Sequence, residues 1–288
     1  MADSDDKPPS IITLTTDFGH SEHYVGAMKG AILSVNPRAT IVDVTHDVSP
    51  QRIEEGSYLL GAAWPYFSTG SIHVAVVDPG VGGERRALVL STPAGYFVGP
   101  DNGVLSCALP DSARPRGNRG AAKSVRLPEG YVAVAISDPR YMRQPVSATF
   151  HGRDVFAPVA AHLSLGVEID SFGQRVASIL ALPLLRAVKK ADGSVRGRVI
   201  HVDRFGNLVT SIGAVDVGGS DVTVEIAGEV VHGLASTYGG GDDLVALIDS
   251  SGYLEVAFPR GNAAELLDVC LDTPVSVRPV VVRMRRPQ

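Results

Sequence analysis

At 288 residues the chain is long enough to bury two hydrophobic cores, and 44% apolar against 20% charged residues is the ordinary balance of a globular protein. A net charge of −5 argues against any general attraction to nucleic acid or anionic lipid. No apolar run is long enough to span a bilayer, and residues 1–10 are acidic and proline-bearing without a signal-like apolar stretch, so a disordered N-terminal segment on a cytoplasmic protein is expected.

Ile11 to Thr16 is a β-rich run that ends at Asp17-Phe18-Gly19. Tyr24 to Val35 follows with Val25, Met28, Ile32 and Val35 at helical spacing, closed by Asn36-Pro37. Thr40 to Thr45 reads as a second strand ending at His46-Asp47, and Ile53 to Trp64 as a second helix. Val74 to Val77 is short, apolar and β-branched, as a buried parallel strand is, and it delivers Asp78 to a glycine-rich turn, Pro79 to Gly83. The alternation β-α-β-α-β predicts a mainly parallel sheet flanked by helices, with ligands at its carboxyl edge. Leu88 to Leu90, Tyr96 to Val98 and Tyr131 to Ile136 extend the strand series, and Val155 to Leu165 reads as a helix after His151. The loop 111–123 is rich in Arg, Gly, Pro and Ser and reads as exposed and solvated.

Beyond residue 182 the pattern changes. Residues 183–194 carry a proline, a Lys pair and an Ala-Asp-Gly turn, as a linker would. Short alternating runs separated by glycine turns then fill residues 195–288: Arg198 to Val202, Val209 to Ile212, Val222 to Ile226, Val245 to Ile248, Leu254 to Phe258 and Val275 to Val282. They predict a small antiparallel β-barrel domain after an α/β domain over residues 11–182. Cys107 and Cys270 lack metal-ligand spacing and read as buried reduced thiols.

Asp17, Asp43, His46, Asp47, Asp78, Asp101 and His151 all fall at predicted strand ends or helix starts. On the residues alone, Asp78 with Arg85 is either a functional pair or a structural brace of its turn. A phosphate cradle is disfavoured, since neither Lys-Ser/Thr nor Gly-x-Gly-x-x-Gly follows the strand. No clustered ligand pair supports a metal site, and no Gly-x-Ser-x-Gly elbow supports a serine nucleophile. Every histidine but His151, His46 included, reads as a surface or satisfied structural group, and Phe205 and Phe258 read as core rather than stacking residues.

Taken in order, Thr15-Thr16-Asp17-Phe18-Gly19, Asp78-Pro79-Gly80-Val81-Gly82 with Arg85, Gly99-Pro100-Asp101-Asn102-Gly103 and Phe150-His151-Gly152-Arg153-Asp154 form a set. Asp203-Arg204-Phe205-Gly206-Asn207, Ser250-Ser251-Gly252 and Gly261-Asn262-Ala263 continue it. Together these resemble the S-adenosyl-L-methionine (SAM) hydroxide adenosyltransferases, the adenosine-forming SAM hydrolases related to fluorinase and chlorinase. The resemblance runs from about Ile11 to about Val277. It implies an enzyme that hydrolyses SAM to adenosine and L-methionine by attack of water at C5′, with no cofactor and no metal. It implies a homotrimer with SAM held between the N-terminal domain of one subunit and the C-terminal domain of the next.

Carried over by residue, the resemblance puts a water-activating Asp–Arg–His set on Asp78, Arg85 and His151, and a ribose-binding carboxylate on Asp17. It puts adenine contacts on Asn207 and around Asn262 and Ala263, and contacts to the methionine ammonium and carboxylate on Asp203 and Ser250. Two alternatives stand beside hydrolysis: a SAM- or adenosine-binding sensor with little turnover, and a SAM-dependent halogenase. Against the halogenase, fluorinase has Tyr and Thr where this chain has Asp78 and Val81, and Tyr and Ser where it has His151 and Gly152. A carboxylate there would repel a halide. Gln51 and Ser251 also depart, standing where fluorinase has Trp and Arg, as do Glu22 and Tyr24, where it has Asp and Ser.

Overall fold

The computed structural model describes residues 11–279 except 116, 118, 119, 185 and 240; the N-terminal segment 1–10 lies outside the described residues. The chain divides into two compact units that part between Pro183 and Leu184.

The first unit runs β1 (Ile11–Thr16), α1 (Tyr24–Val35), β2 (Thr40–Thr45), α2 (Ile53–Ala63), β3 (Ser71–Val76), β4 (Ala87–Ser91), β5 (Gly95–Pro100), β6 (Lys123–Arg126), β7 (Val132–Ile136), α3 (Ala157–Ser164), β8 (Gly173–Val176) and β9 (Ser178–Ala181). Seven strands form one sheet in the order β2-β1-β3-β5-β4-β7-β8, and β6 and β9 form a separate ribbon. The sheet is mixed. β2, β1, β3 and β5 pair in parallel, whereas β4, β7 and β8 add antiparallel pairings. The change of direction follows from chain length: only Thr92 to Ala94 join β4 to β5, and so short a connection closes a hairpin but cannot make a crossover.

β3 sits inside the parallel half with all six residues buried, which explains its unbroken apolar run. Its side chains alternate between two cores. Ile72, Val74 and Val76 join Met28 and Ile32 of α1 and Val159 and Leu163 of α3 on one face. Ala75 and the following Val77 join Leu60 of α2 and Val104 on the other. Burying β3 on both faces fixes where it stops, and so fixes the position of Asp78. The helix expected from Val155 begins earlier, at His151, and Gly152–Phe156 form a π-helical turn ahead of α3.

The second unit runs β10 (Val188–Lys189), β11 (Val195–Val202), β12 (Leu208–Gly213), α4 (Ala214–Val217), β13 (Val222–Ile226), β14 (Glu229–His232), β15 (Val245–Ile248), β16 (Tyr253–Ala257), α5 (Ala263–Leu267) and β17 (Pro274–Pro279). Its strands pair antiparallel in the order β14-β13-β17-β11-β12-β16-β15, with β10 against β11. The two ends of that order approach each other, and the Ala235 N–H donates to the Ala246 carbonyl at 2.8 Å across the seam. The sheet is therefore curled into a nearly closed barrel around Leu208, Ile212, Val224, Leu254 and Val256.

Three further details differ from the sequence reading. The stretch read as a linker contains β10. Cys270 is exposed, although Cys107 is half-buried and both are free thiols. Phe205 is not core but 74% exposed, because it lies at the tip of the turn between β11 and β12, while Phe258 does pack on the barrel core.

Candidate active site

Asp78 stands just beyond the end of β3, and Asn102 secures it from behind: its Nδ2 donates to the Val77 carbonyl at 2.8 Å. The chain then turns sharply, with the Val81 N–H on the Asp78 carbonyl and the Gly83 N–H on that of Gly80. Gly82 adopts φ +75°, and a Cβ there would lie 2.2 Å from the Ala148 carbonyl oxygen, so both backbone and space demand glycine. That turn brings Arg85 back onto Asp78. Arg85 Nε donates to both Asp78 oxygens at 3.0 Å, and Nη2 donates to Oδ2 as well. Nη2 also lies 2.7 Å from His151 Nδ1. The guanidinium carbon rests 5.5 Å from the centroid of Phe156, the last residue of the π-helical turn. Asp78 and Arg85 side chains are 5% and 11% exposed, a site largely shielded from water.

The adjacent arginine goes the other way. Arg86 pairs with Asp101 and donates to the Ser178 carbonyl, while Asp101 accepts the Leu180 N–H, so Asp101 bolts the sheet to β9 rather than lining the site.

The hydrogen-bond pattern assigns the protons. Arginine has donors only, so His151 Nδ1 must accept, and the neutral ring carries its hydrogen on Nε2. Burial, and next the Arg85 charge, hold the imidazole below its ordinary pKa, although Asp78 and Asp154 pull the other way. His151 is thus neutral near pH 7 and offers an N–H through Nε2. Among the described residues nothing bonds to Arg85 Nη1. The set therefore presents two unused donor groups, Nη1 and Nε2, backed by a carboxylate.

Asp17, at the end of β1, accepts the Gln51 N–H on Oδ2 at 2.8 Å. Gln51 reaches it from φ +65°, a left-handed conformation that costs a non-glycine residue energy. Burial raises the Asp17 pKa, the Gln51 N–H opposes that, and the Asp78 carboxylate adds to it. Behind Asp17, the buried His46 ring bonds Thr16 Oγ1 through Nδ1 at 2.8 Å and faces Asp43 Oδ1 at 3.1 Å. His73 is likewise buried against Thr13 Oγ1 at 2.9 Å. Both are buried and bonded through Nδ1 to a threonine hydroxyl, and His46 Nε2, which faces Asp43, makes no hydrogen bond among the described residues.

The second unit gathers Asp203, Asn207, Asn262 and Ala263. Asp203 Oδ1 accepts the N–H groups of Phe205 and Asn207, and Oδ2 accepts Asn207 Nδ2. The Ala264 N–H donates to the Gly206 carbonyl, and a Cβ on Gly206 would sit 1.9 Å from Asn262 Oδ1. Asn262 caps α5, accepting the Glu265 N–H at 2.9 Å. Ala263 is fully buried, and Ser250 is exposed in the turn between β15 and β16. Among the described residues no group of three or more His, Cys, Asp or Glu could hold a metal ion.

Sequence reasoning gives no site role to Asn102, Gln51, Phe156 or Glu255, although Asn102 lies in one of the motifs and Gln51 stands where fluorinase has Trp. Glu255 did leave a signal, as the one charge inside the apolar run Leu254 to Ala257. The Gln51 contact with Asp17 left none, since it is made by the backbone.

The profile of the SAM hydroxide adenosyltransferase N-terminal domain matches residues 12–173, and that of the C-terminal domain matches residues 197–276. The chain belongs to the SAM hydroxide adenosyltransferase family. It is 37% identical over 274 residues to a protein of Methanocaldococcus jannaschii named (R)-S-adenosyl-L-methionine hydrolase, covering 90% of this chain and 92% of that one. A protein of the same name from Thermus thermophilus is 38% identical, with coverage of 90% and 96%. A fluorinase of Nocardia brasiliensis is more distant, 28% identical with coverage of 89% and 91%. A crystal structure of an uncharacterized conserved protein from Thermotoga maritima superposes with TM-score 0.78 at 33% identity, covering 93% of this chain and 99% of that one.

Proposed function

We propose that the protein hydrolyses S-adenosyl-L-methionine to adenosine and L-methionine, the epimer being the (R)-sulfonium named for its relatives. The C5′–sulfur bond breaks with its electron pair passing to sulfur, water oxygen bonds C5′, and one proton leaves to solvent. The observation that carries this reading is the Asp78–Arg85–His151 arrangement with its two unused donors. Fixed N–H donors beside the nucleophile's oxygen favour its hydroxide character, as an oxyanion hole favours a developing negative charge. Asp78 holds Arg85 in register, and His151 orients the water by donation from Nε2 rather than taking its proton. Closing the site away from bulk water strengthens these contacts.

In this reading Asp17 accepts from the ribose hydroxyls. Asn207, with the backbone around Asn262 and Ala263, meets the adenine, and Asp203 and Ser250 meet the methionine ammonium and carboxylate. No cofactor is invoked. The water-activating residues and the adenine-side residues belong to different units, which supports a homotrimer whose adjacent subunits complete each site. A cytoplasmic location, supported by two free thiols, belongs to the same proposal.

Incubating purified protein separately with each sulfonium epimer, and separating the products by chromatography, tests the reading. Adenosine and methionine should form, faster from the (R) epimer. Tight binding without products would establish a sensor, and 5′-halo-5′-deoxyadenosine in the presence of chloride or fluoride would establish a halogenase.

A further inference from the structure

Glu255 lies mid-strand in β16, paired with Val209 of β12 and Leu247 of β15. Its neighbours Leu254 and Val256 point into the barrel core, so Glu255 points to the outer face. A carboxylate there would ordinarily reach water, yet Glu255 is only 4% exposed. Among the described residues nothing hydrogen-bonds its Oε1, which is itself buried. Tyr238, from the segment between β14 and β15, reaches the carboxyl with its hydroxyl. The charged groups around it are Asp203, in the turn between β11 and β12, and Asp249, in the turn between β15 and β16. Among the described residues no cation is counted with them. Val209 and Leu247, beside it on the neighbouring strands, are apolar and buried.

A buried acceptor with no donor costs on the order of 1–3 kcal/mol and persists where something else uses it. The carboxylates beside it add negative potential, which favours a donor that also carries positive charge. We propose that Glu255 is a substrate-recognition residue whose free oxygen receives the α-ammonium of the methionine moiety, with Asp203 beside it and Tyr238 holding the other side of the carboxyl. The assignment rests on the reading of Asp203 and Ser250 as the methionine subsite, and it adds the residue that selects for the amino group. Burial and the two neighbouring carboxylates raise the Glu255 pKa, and the Tyr238 hydroxyl is pushed up to about 12, as expected of an anionic pocket awaiting a positive charge.

The test compares kcat/KM for S-adenosyl-L-methionine with that for its deaminated analogue, in which hydrogen replaces the α-ammonium, on wild type, Glu255→Gln, Glu255→Asp and Asp203→Asn. Both substrates are assayed on one preparation of each variant, so the folded fraction cancels from the ratio. Glu255→Gln should lower the preference for the ammonium-bearing substrate about 10- to 100-fold, mainly through KM, and Glu255→Asp should restore part of it. If Asp203→Asn erodes the preference while Glu255→Gln leaves it at the wild-type value, Glu255 is structural and the subsite reading stands. If neither variant moves the preference, both readings fall, although hydrolysis of SAM is untouched.

Discussion

At the scale of the residue, the arginine is asked for two things at once. One edge of Arg85 is committed to Asp78 and His151, and in the proposed mechanism the other edge meets the nucleophile. Lysine cannot divide itself in this way, because a point charge has no second edge. Arg85→Ala should lower kcat by about a hundredfold or more, with KM little changed, and Arg85→Lys should recover only a minor part. Stopped assays over a substrate range separate the two parameters, and an intact kcat with a raised KM would reassign Arg85 to binding. His151 allows a sharper distinction. Gln can place an amide N–H where Nε2 stands, whereas Asn reaches only the Nδ1 position and keeps the Arg85 contact alone. If donation orients the water, His151→Gln should retain more activity than His151→Asn. A general base predicts equal collapse of both. Because the imidazole is held below its ordinary value, the acidic limb of the wild-type rate should fall below about pH 6.5.

At the scale of the element, turns carry the burden that helices and strands cannot. The turn at Asp203 to Asn207 stands against α5 with no room for a side chain at Gly206, whose φ is +82°. Gly206→Ala should cost at least about 2 kcal/mol from strain and collision together, read as a shifted urea midpoint. Gln51→Gly should do the reverse, holding or raising stability by up to about 1 kcal/mol while keeping its N–H on Asp17. This is also where the sequence was least legible. β3 announced itself because both of its faces are buried, and α1 because its apolar residues keep one period. β6 and β9 did not, since Lys123 to Arg126 gains its strand only by meeting Ser178 to Ala181 far along the chain. The π-helical turn left no pattern either, because one extra residue per turn has no compositional mark. α5 was readable and passed over: Asn262 followed three residues later by Glu265 is a helix-start signature. Of the site, the positions of Asp17, Asp78 and His151 followed from strand ends and helix starts. The tautomer of His151 did not, because it depends on a guanidinium brought in from Arg85, and the burial of Glu255 depends on the segment carrying Tyr238.

At the scale of the whole molecule, acid should be a general weakness. His73 is buried neutral, with its pKa pushed down to about 4. Between that value and the unfolded value of about 6.5 the unfolded chain binds the extra proton, so stability falls as pH drops through this window and is unaffected above it. Denaturant midpoints measured from pH 7.5 to pH 4 should show the decline, and His73→Asn should flatten it. The proposed homotrimer with shared sites makes a different demand. Inactive Asp78→Ala and inactive Asn207→Ala chains, dissociated together and reassembled, should regain activity, because one kind of mixed interface unites two intact halves. A species that light scattering finds monomeric and that still turns over SAM would exclude the shared site. The strand order of the barrel bears on how such a chain comes into being. β17 is the last strand described, yet it sits between β13 and β11 in the middle of the order. On the ribosome the first unit has all its strands once Ala181 emerges, whereas the barrel stays open until Pro279 does. A stop codon between those points would release a product with Asp78, Arg85 and His151 in place and its second sheet unclosed, exposing the unpaired edges of β11 and β13 to any neighbouring strand. The last stretch of translation is thus the interval in which this protein is most exposed to aggregation.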